Sequence, residues 1–251
     1  MSGITPIQES DIEFDNGTFD AAAFAARALA SWQALAAMID HTLLKPEATR
    51  EQIENLCDEA IRYRFACAMV NPVWASTAVN LLSGTGVPVG VAIGFPLGAS
   101  LVSTLRQEAV ALTRLGVREL DMVMPVGQLK SGNYQAVQHT IHAVATVAHH
   151  HGALLKVILE TCLLSVEEKL RASEIAIQAG ADFIKTSTGF AAAGANPADV
   201  ALMRGVAGAR AGVKAAGGIR TLADVKALLE AGANRIGASA SVAMVRELGA
   251  E

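Results

Sequence analysis

From residue 38 onward, short apolar runs alternate regularly with amphipathic stretches of helical spacing, and this alternation constrains the fold most. We expect strands at 38–43, 65–70, 87–93, 117–124, 153–159, 182–186, 212–215 and 233–238. We expect helices at 49–63, 72–82, 101–115, 133–149, 165–179, 197–210 and 221–231, and a last one from about residue 239. Eight strands that alternate with eight helices predict an α/β fold, a closed (β/α)8 TIM barrel. An open doubly wound sheet is the alternative.

The composition agrees with one large domain. Apolar residues make up 52% of the 251 residues and aromatic residues only 4%, as in parallel strands that helices cover on both faces. We predict that residues 38–251 form the catalytic barrel and that residues 1–37 form an N-terminal extension. An additional Ala-rich helix is expected in that extension, from Asp20 to about Leu35, at the lower mouth of the barrel.

Charge and cysteine content exclude several classes of partner. A formal net charge of −4 gives no basic surface for nucleic acid or for an anionic membrane. Neither a run of membrane-spanning length nor a secretory signal is recognisable, and the three cysteines show no metal-ligand spacing, so we expect a cytoplasmic protein with reduced thiols. The histidines near residues 139–151 lack a matching carboxylate, and no metal site is predicted there.

A weak internal repeat points to one face of the barrel. The segments 115–121, 179–185 and 231–237 each run from the end of a helix, through a glycine and polar residues, into a strand. When the glycines are superposed, the last positions are Asp121, Lys185 and Gly237. Their parity along the strands is the same, so all three should face the barrel axis near its C-terminal end, where barrel enzymes carry their active sites.

The distribution of lysines also indicates chemistry. Only seven lysines occur against thirteen arginines, and Lys156, Lys185 and Lys214 lie inside apolar strand runs. Burying an ammonium is unfavourable unless it is paired or deprotonated. A second cation nearby favours the neutral amine, which is the form that attacks a carbonyl. Asp121 is the candidate proton shuttle, although it could equally serve only to pair the lysines.

Glycines after the seventh and eighth strands predict a phosphate site. Gly217 and Gly218 precede a helix that should begin after Thr221, and Gly237 likewise precedes the last helix. Backbone N–H groups at helix N-termini suit a phosphate, and barrels often bind phosphate at these two positions.

Seven segments together resemble one enzyme family. They are IDHTLLKPEAT (39–49), GFPLGAS (94–100), ELDMVMPVGQLKSGNY (119–134), LLKVILET (154–161), DFIKTSTGF (182–190), VKAAGGIRT (213–221) and RIGASA (235–240). They span essentially the whole predicted barrel and resemble the deoxyribose-phosphate aldolases.

That resemblance implies a metal-free and cofactor-free class I aldolase, acting on a small phosphorylated sugar and aldehydes. By motif position, Lys185 would form the imine, Lys214 would lower its pKa and Asp121 would transfer protons with water. The residues that match the family's substrate pocket and phosphate site are Asp40, Thr42, Lys156, Gly189, Gly217, Gly218 and Ser239.

The chain departs from the family pattern at Ala216, Met69 and Phe190, none of them a catalytic position. Two other hypotheses stay open at this point. One is a metal-free phosphosugar isomerase that uses Asp121 as a base without an imine, and the other is a non-catalytic sugar-phosphate-binding barrel. A homodimer is compatible with such a barrel, although the sequence shows no decisive apolar face for it.

Overall fold

The structure, a computed structural model, describes residues 14–15 and 18–251. Strands β1 (Phe14–Asp15) and β2 (Thr18–Phe19) form a small antiparallel pair. The other eight strands form a closed parallel barrel, which confirms the predicted fold. In chain order they are β3 (Ile39–Leu43), β4 (Cys67–Val70), β5 (Val89–Ile93), β6 (Glu119–Val123), β7 (Leu154–Ile158), β8 (Phe183–Lys185), β9 (Gly212–Ala216) and β10 (Arg235–Ala238).

Helices follow the barrel strands on the outside. In chain order, with two N-terminal helices first, they are α1 (Ala21–Ala28), α2 (Trp32–Ala36), α3 (Arg50–Tyr63), α4 (Ala75–Leu82), α5 (Val102–Leu115), α6 (Val126–Lys130), α7 (Tyr134–His150), α8 (Val166–Gln178), α9 (Pro197–Ala207), α10 (Leu222–Glu230) and α11 (Ser241–Glu247). The short helix α6 and the 3-10 turn at Thr161–Leu163 lie outside the predicted helices, and a 3-10 turn at Pro72–Trp74 forms the start of the helix predicted at 72–82. In the part of the chain described, no helix is both long and apolar enough to cross a membrane.

Side-chain caps explain where several helices begin. Thr49, Ser165 and Thr221 each accept a hydrogen bond from the backbone three residues later, at the starts of α3, α8 and α10. The residue at that third position returns a hydrogen bond to the cap, so two N–H groups that lack a helical partner are satisfied together. These helix starts follow the C-terminal ends of the strands, at the same end of the barrel as the predicted site.

The prediction of a single N-terminal helix is wrong, because this segment forms two helices. Asp20 caps it as expected, but α1 ends at Ala28 and α2 begins at Trp32. The Ser31 hydroxyl accepts a hydrogen bond from Ala34 N at 3.2 Å and starts a new helix, because serine competes with the backbone for such bonds. Helix α1 packs against α10, and α2 packs against α11. Residues 1–13 and 16–17 of the predicted extension lie outside the described residues.

Strand register places the charged side chains of the barrel side by side. Asp121 of β6 pairs with Lys156 of β7, and Lys185 of β8 pairs with Lys214 of β9. Gly237 of β10 pairs with Asp40 of β3, which closes the ring. Because side chains alternate between the two faces of a strand, one set of positions fills the barrel interior and the other packs under the helices.

Candidate active site

The barrel interior holds a continuous network of buried ionisable side chains. Its members come from six of the eight barrel strands and are Asp40, Glu119, Asp121, Lys156, Lys185, Lys214 and Arg235. The Arg235 side chain is the most accessible of them, at 15% exposure. Buried charges are tolerated only when they are paired and hydrogen-bonded, and each of these charges has a partner of opposite sign.

Asp121 is the centre of the network. Its Oδ2 accepts hydrogen bonds from Lys185 Nζ and from Lys214 Nζ, both at 2.7 Å, and its Oδ1 accepts one from Lys156 Nζ at 2.9 Å. The structure therefore brings together the three lysines and the aspartate that were predicted from the strands. The shared inward face of Asp121 and Lys185 is the one that the internal repeat predicts.

Asp40 joins the other side of the network. Its Oδ2 accepts a hydrogen bond from Lys214 Nζ and lies 3.4 Å from Lys156 Nζ, while its Oδ1 accepts one from Arg235 at 2.8 Å. Lys156 also donates to Glu119 Oε2. Asp40 and Lys156 are fully buried and do not line the cavity described below, so the structure places these two predicted pocket residues beneath it.

Two members of the network, Glu119 and Arg235, were missed by sequence reasoning. Arg235 approaches Glu119 Oε1 at 3.6 Å, and its guanidinium carbon lies 5.4 Å from the centre of the Phe183 ring. A signal was present in the internal repeat, because Glu119 and Arg235 stand two positions before Asp121 and Gly237 and therefore share their inward face.

The surroundings of Lys185 favour its neutral form. Burial, helped by Lys214 and Lys156 and opposed by Asp121, lowers the pKa of the Lys185 amine to about 8. Lys156 behaves in the opposite way. Burial disfavours its charged form, but Asp121, Asp40 and Glu119 together hold the pKa of Lys156 well above its usual range. Of these two buried lysines, Lys185 is therefore the one that can reach the neutral form near neutral pH.

The two aspartates remain ionised despite their burial. Burial raises the pKa of Asp121, but Lys156, Lys185 and Lys214 overcome this and hold it well below its usual range. Burial likewise raises the pKa of Asp40, but Lys156, Lys214 and Arg235 overcome this and lower it overall. Both carboxylates can therefore accept protons from neighbouring groups or substrate only transiently.

A cavity of about 330 Å³ opens above the network at the C-terminal end of the barrel. Lys185 lies in its wall, and five residues predicted for the substrate or phosphate surround it: Thr42, Gly189, Gly217, Gly218 and Ser239. Ala216 and Phe190, two departures from the family pattern, also line this cavity. The third, Met69, does not: it is buried on β4 where a side chain at Gly90 would collide with its sulfur.

Close approach of backbone shapes the glycine side of the cavity. Gly217 has a φ of +88°, and a Cβ at this position would lie 3.1 Å from Gly194 Cα and 3.3 Å from Gly189 Cα. The loops that follow β8 and β9 therefore meet through residues without side chains. Gly217 and Gly218 thus bring backbone to the wall of the cavity just before α10, and the phosphate site expected there stays a prediction.

A second and more apolar cavity, of about 260 Å³, lies beside the first. Thr188 and Phe190 line both cavities. Glu160 borders the second, where it adopts a left-handed backbone with a φ of +56°. Its carboxylate accepts hydrogen bonds from the Thr188 hydroxyl and, at 3.2 Å, from Thr188 N. Glu160 thus fixes the loop that follows Lys185, and sequence reasoning gave it no role.

One group of possible metal ligands occurs among residues 14–15 and 18–251, formed by buried Asp40, Cys67 and Glu119. Both carboxylates already contact Lys156 and Arg235. Burial, followed by Glu119 and Asp40, raises the pKa of the Cys67 thiol well above its usual range, which disfavours the thiolate that binds metal. The donor set is therefore better matched to the protonated side chains that it already contacts than to a metal ion.

Comparison with known proteins identifies the family. Residues 34–246 match the model of the DeoC/LacD family aldolases. The chain is 52% identical to the deoxyribose-phosphate aldolase of Caldanaerobacter subterraneus subsp. tengcongensis over 85% of its own length and 93% of that protein. It is also 52% identical to that of Lysinibacillus sphaericus, over 86% of this chain and 96% of that protein.

Among solved structures, a deoxyribose phosphate aldolase from Aeropyrum pernix, described as tetrameric, superposes with a TM-score of 0.84. The identity is 35%, and the match covers 91% of this chain and 96% of that one. The aldolase QR15 superposes with a TM-score of 0.80 at 38% identity, over 84% of this chain and 93% of the other. The chain belongs to the DeoC/LacD aldolase family.

Proposed function

We propose that this chain is a class I aldolase that reversibly cleaves 2-deoxy-D-ribose 5-phosphate to acetaldehyde and D-glyceraldehyde 3-phosphate. The observation that carries the proposal is the position of Lys185. Its side chain lies in the wall of the cavity, its amine donates a hydrogen bond to Asp121, and the pKa of that amine is lowered to about 8. An amine in this state is a nucleophile for an aldehyde. The relatives named deoxyribose-phosphate aldolase support the choice of substrate.

The first chemical step is imine formation. The neutral Lys185 Nζ attacks C1 of the open-chain sugar, and the resulting carbinolamine loses water to give an iminium ion. Asp121 Oδ2, which is 2.7 Å from Lys185 Nζ, is placed to receive the amine proton and to return it to the departing hydroxyl. Lys214 Nζ donates to the same oxygen and so stabilises the ionised carboxylate before the first transfer and after the second.

Carbon–carbon cleavage follows from the iminium ion. Asp121, acting through water, accepts the proton of the C3 hydroxyl and later returns it at C2. The C2–C3 bond breaks, and its electron pair moves into an enamine on the lysine as D-glyceraldehyde 3-phosphate leaves. Protonation of the enamine at C2 and addition of water then release acetaldehyde and regenerate the amine. The iminium nitrogen is the electron sink, so these steps call for no group that the chain does not carry.

The glycine-lined side of the cavity is the proposed phosphate site. Gly189, Gly217 and Gly218 bring backbone close to the cavity, and Ser239 adds a hydroxyl beside the start of the last helix. This would hold the phosphate of the sugar and direct its C1 toward Lys185. Thr42 lines the same cavity and donates to the Asp40 carbonyl oxygen at 2.7 Å, so it is a proposed wall of the sugar site.

A product assay tests the proposed reaction. 2-Deoxy-D-ribose 5-phosphate should yield acetaldehyde and D-glyceraldehyde 3-phosphate in equal amounts, each followed by its own NADH-linked dehydrogenase. Lys185→Leu should abolish both products, while Lys226→Leu, an exposed lysine on α10, should leave both unchanged. Consumption of the sugar phosphate without either aldehyde would instead indicate an isomerase. Binding without turnover would indicate a non-catalytic barrel.

The assembly and location also belong to the proposal. We expect a homodimer as the smallest symmetric assembly, and the tetrameric relative from Aeropyrum pernix supports symmetric association in this family. Light scattering should then give a mass at least twice that of the 26.0 kDa chain. The cytoplasmic location stays a prediction that rests on the sequence.

A further inference from the structure

The ionisable side chains of the barrel interior do not balance when all of them are charged. Three carboxylates, those of Asp40, Glu119 and Asp121, face four cations. The cations are Lys156, Lys185, Lys214 and Arg235. Cys67 of β4 also faces this network as a neutral thiol, and β5 contributes no ionisable side chain. Releasing one proton from a lysine makes the numbers equal.

The contacts show which lysine is least compensated. Among the described residues, Lys156 contacts three carboxylates and Lys214 contacts two, whereas Lys185 contacts only that of Asp121, through an oxygen that it shares with Lys214. Arg235 cannot release a proton at physiological pH. It contacts Asp40 at 2.8 Å and Glu119 at 3.6 Å, and so occupies carboxylate oxygens that would otherwise stabilise lysine ammonium groups.

We propose that Arg235 and Glu119 are positioning residues that set the charge balance of the barrel interior, so that Lys185 is the amine that releases its proton. Neither residue lines the 330 Å³ cavity, and both act through Asp40, Lys156 and Lys214. The inference rests on the proposed imine chemistry of Lys185. It adds that the nucleophile is prepared from the opposite end of the barrel interior, by a permanent cation that substrate does not touch.

The proposal makes opposite predictions for two substitutions. Removing the cation with Arg235→Met leaves three carboxylates and three lysines, so Lys185 should keep its proton to higher pH. Removing an anion with Glu119→Gln leaves an excess of cations, so Lys185 should release its proton at lower pH. The double variant Arg235→Met/Glu119→Gln should return close to the wild type. Each single shift should be on the order of one pH unit, as expected for one buried charge at an effective dielectric constant near 20.

Trace acetylation with acetic anhydride measures the protonation of the Lys185 amine, and it does not require the chain to be catalytically active. The rate at Lys185 is followed by mass spectrometry between about pH 6 and pH 10, and its midpoint reports the protonation of that amine. Lys226, which is exposed on α10, provides the internal reference in the same samples. Arg235→Lys restores the charge and should restore the wild-type midpoint if the guanidinium acts mainly as a cation.

Opposite shifts in the two single variants, with recovery in the double variant, would support the proposal. Unchanged midpoints, or shifts of the same sign in both, would overturn it. If Arg235→Met does not fold, Glu119→Gln alone still decides, because a midpoint that does not fall contradicts the charge balance. A failure of the aldolase reaction would leave these midpoints measurable, so the two proposals are tested separately.

Discussion

Lys185 and Lys214 share one hydrogen-bond acceptor, because both Nζ atoms donate to Asp121 Oδ2 at 2.7 Å. Two ammonium groups on one carboxylate oxygen repel each other, and the repulsion is relieved when one of them is neutral. Lys185 lines the cavity and contacts one carboxylate, whereas Lys214 lies outside the cavity lining and contacts two, so the amine that faces the cavity is the less compensated of the pair.

Lys214→Leu should move the pH–rate profile to higher pH. Burial is the largest cause of the lowered pKa of Lys185, and Lys214 is the main positive charge that adds to it. Without Lys214, the acid limb of kcat/KM should therefore rise from about pH 8 toward the ordinary range of lysine. Lys226→Leu is the matched control and should leave the profile in place. An acid limb that stays at its original pH in Lys214→Leu would contradict the role of Lys214.

Asp121→Asn should lower kcat by about 10²-fold or more, because the amide keeps the shape but cannot shuttle protons. The same change removes the group that raises the pKa of Lys185, so the acid limb should shift to lower pH while the rate falls. If the rate fell because Lys185 stayed protonated, the acid limb would instead shift to higher pH. Asp58→Asn, an exposed aspartate on α3, is the control, and circular dichroism should show that both variants are folded.

Lys185→Leu should stabilise the chain near pH 7 and not near pH 10. The pKa of Lys185 is about 8 in the folded chain and 10.5 without its surroundings. Below pH 8 the folded state therefore bears the full unfavourable effect of the buried ammonium, and between pH 8 and 10.5 this effect disappears. We expect a gain on the order of 2 kcal/mol in the free energy of unfolding at pH 7. Urea unfolding at both pH values measures it, and a gain that is equal at the two would refute this linkage.

Gly217→Ala should weaken binding of the phosphorylated substrate selectively. The new Cβ would crowd Gly194 and Gly189 at a φ of +88°, and so displace the loop proposed to hold the phosphate. We expect KM for 2-deoxy-D-ribose 5-phosphate to rise about tenfold, with little change in kcat/KM for 2-deoxy-D-ribose, in line with lost phosphate contacts. Gly84→Ala is the matched control, since Gly84 has a φ of +75° in a turn with no heavy atom near its Cβ position. An equal effect on both sugars would place the phosphate elsewhere.

Much of the fold follows from local patterns. Strand and helix positions are set by apolar periodicity and by caps such as Thr49 and Ser165, so they could be placed to within a few residues. The break between α1 and α2 could not, because an Ala-rich stretch has strong helical propensity and the interruption depends on the local bond from Ser31. The division of the chain at residue 37 stays a prediction.

The sequence predicts which side of each barrel strand carries the site residues, but not how far along the barrel each residue lies. Parity along the strands gives the inward side of Asp121 and Lys185. It gives the same side for Glu119 and Arg235, which lie within the predicted strands 117–124 and 233–238, but neither was assigned a role. Asp40 was expected in the pocket, yet it lies below it. The height of a residue in a barrel depends on how neighbouring strands are staggered, and a single sequence does not contain that stagger.

Trapping of the imine on Lys185 tests the proposed chemistry most directly. The chain is incubated with acetaldehyde, reduced with borohydride and digested, and the peptides are mapped by mass spectrometry. We expect the mass of one ethyl group on the peptide that contains residues 182–190, located on Lys185 and absent from Lys185→Leu. A folded, active chain that carries no adduct on that peptide, or carries it on another lysine, would contradict the assignment of Lys185 as the nucleophile.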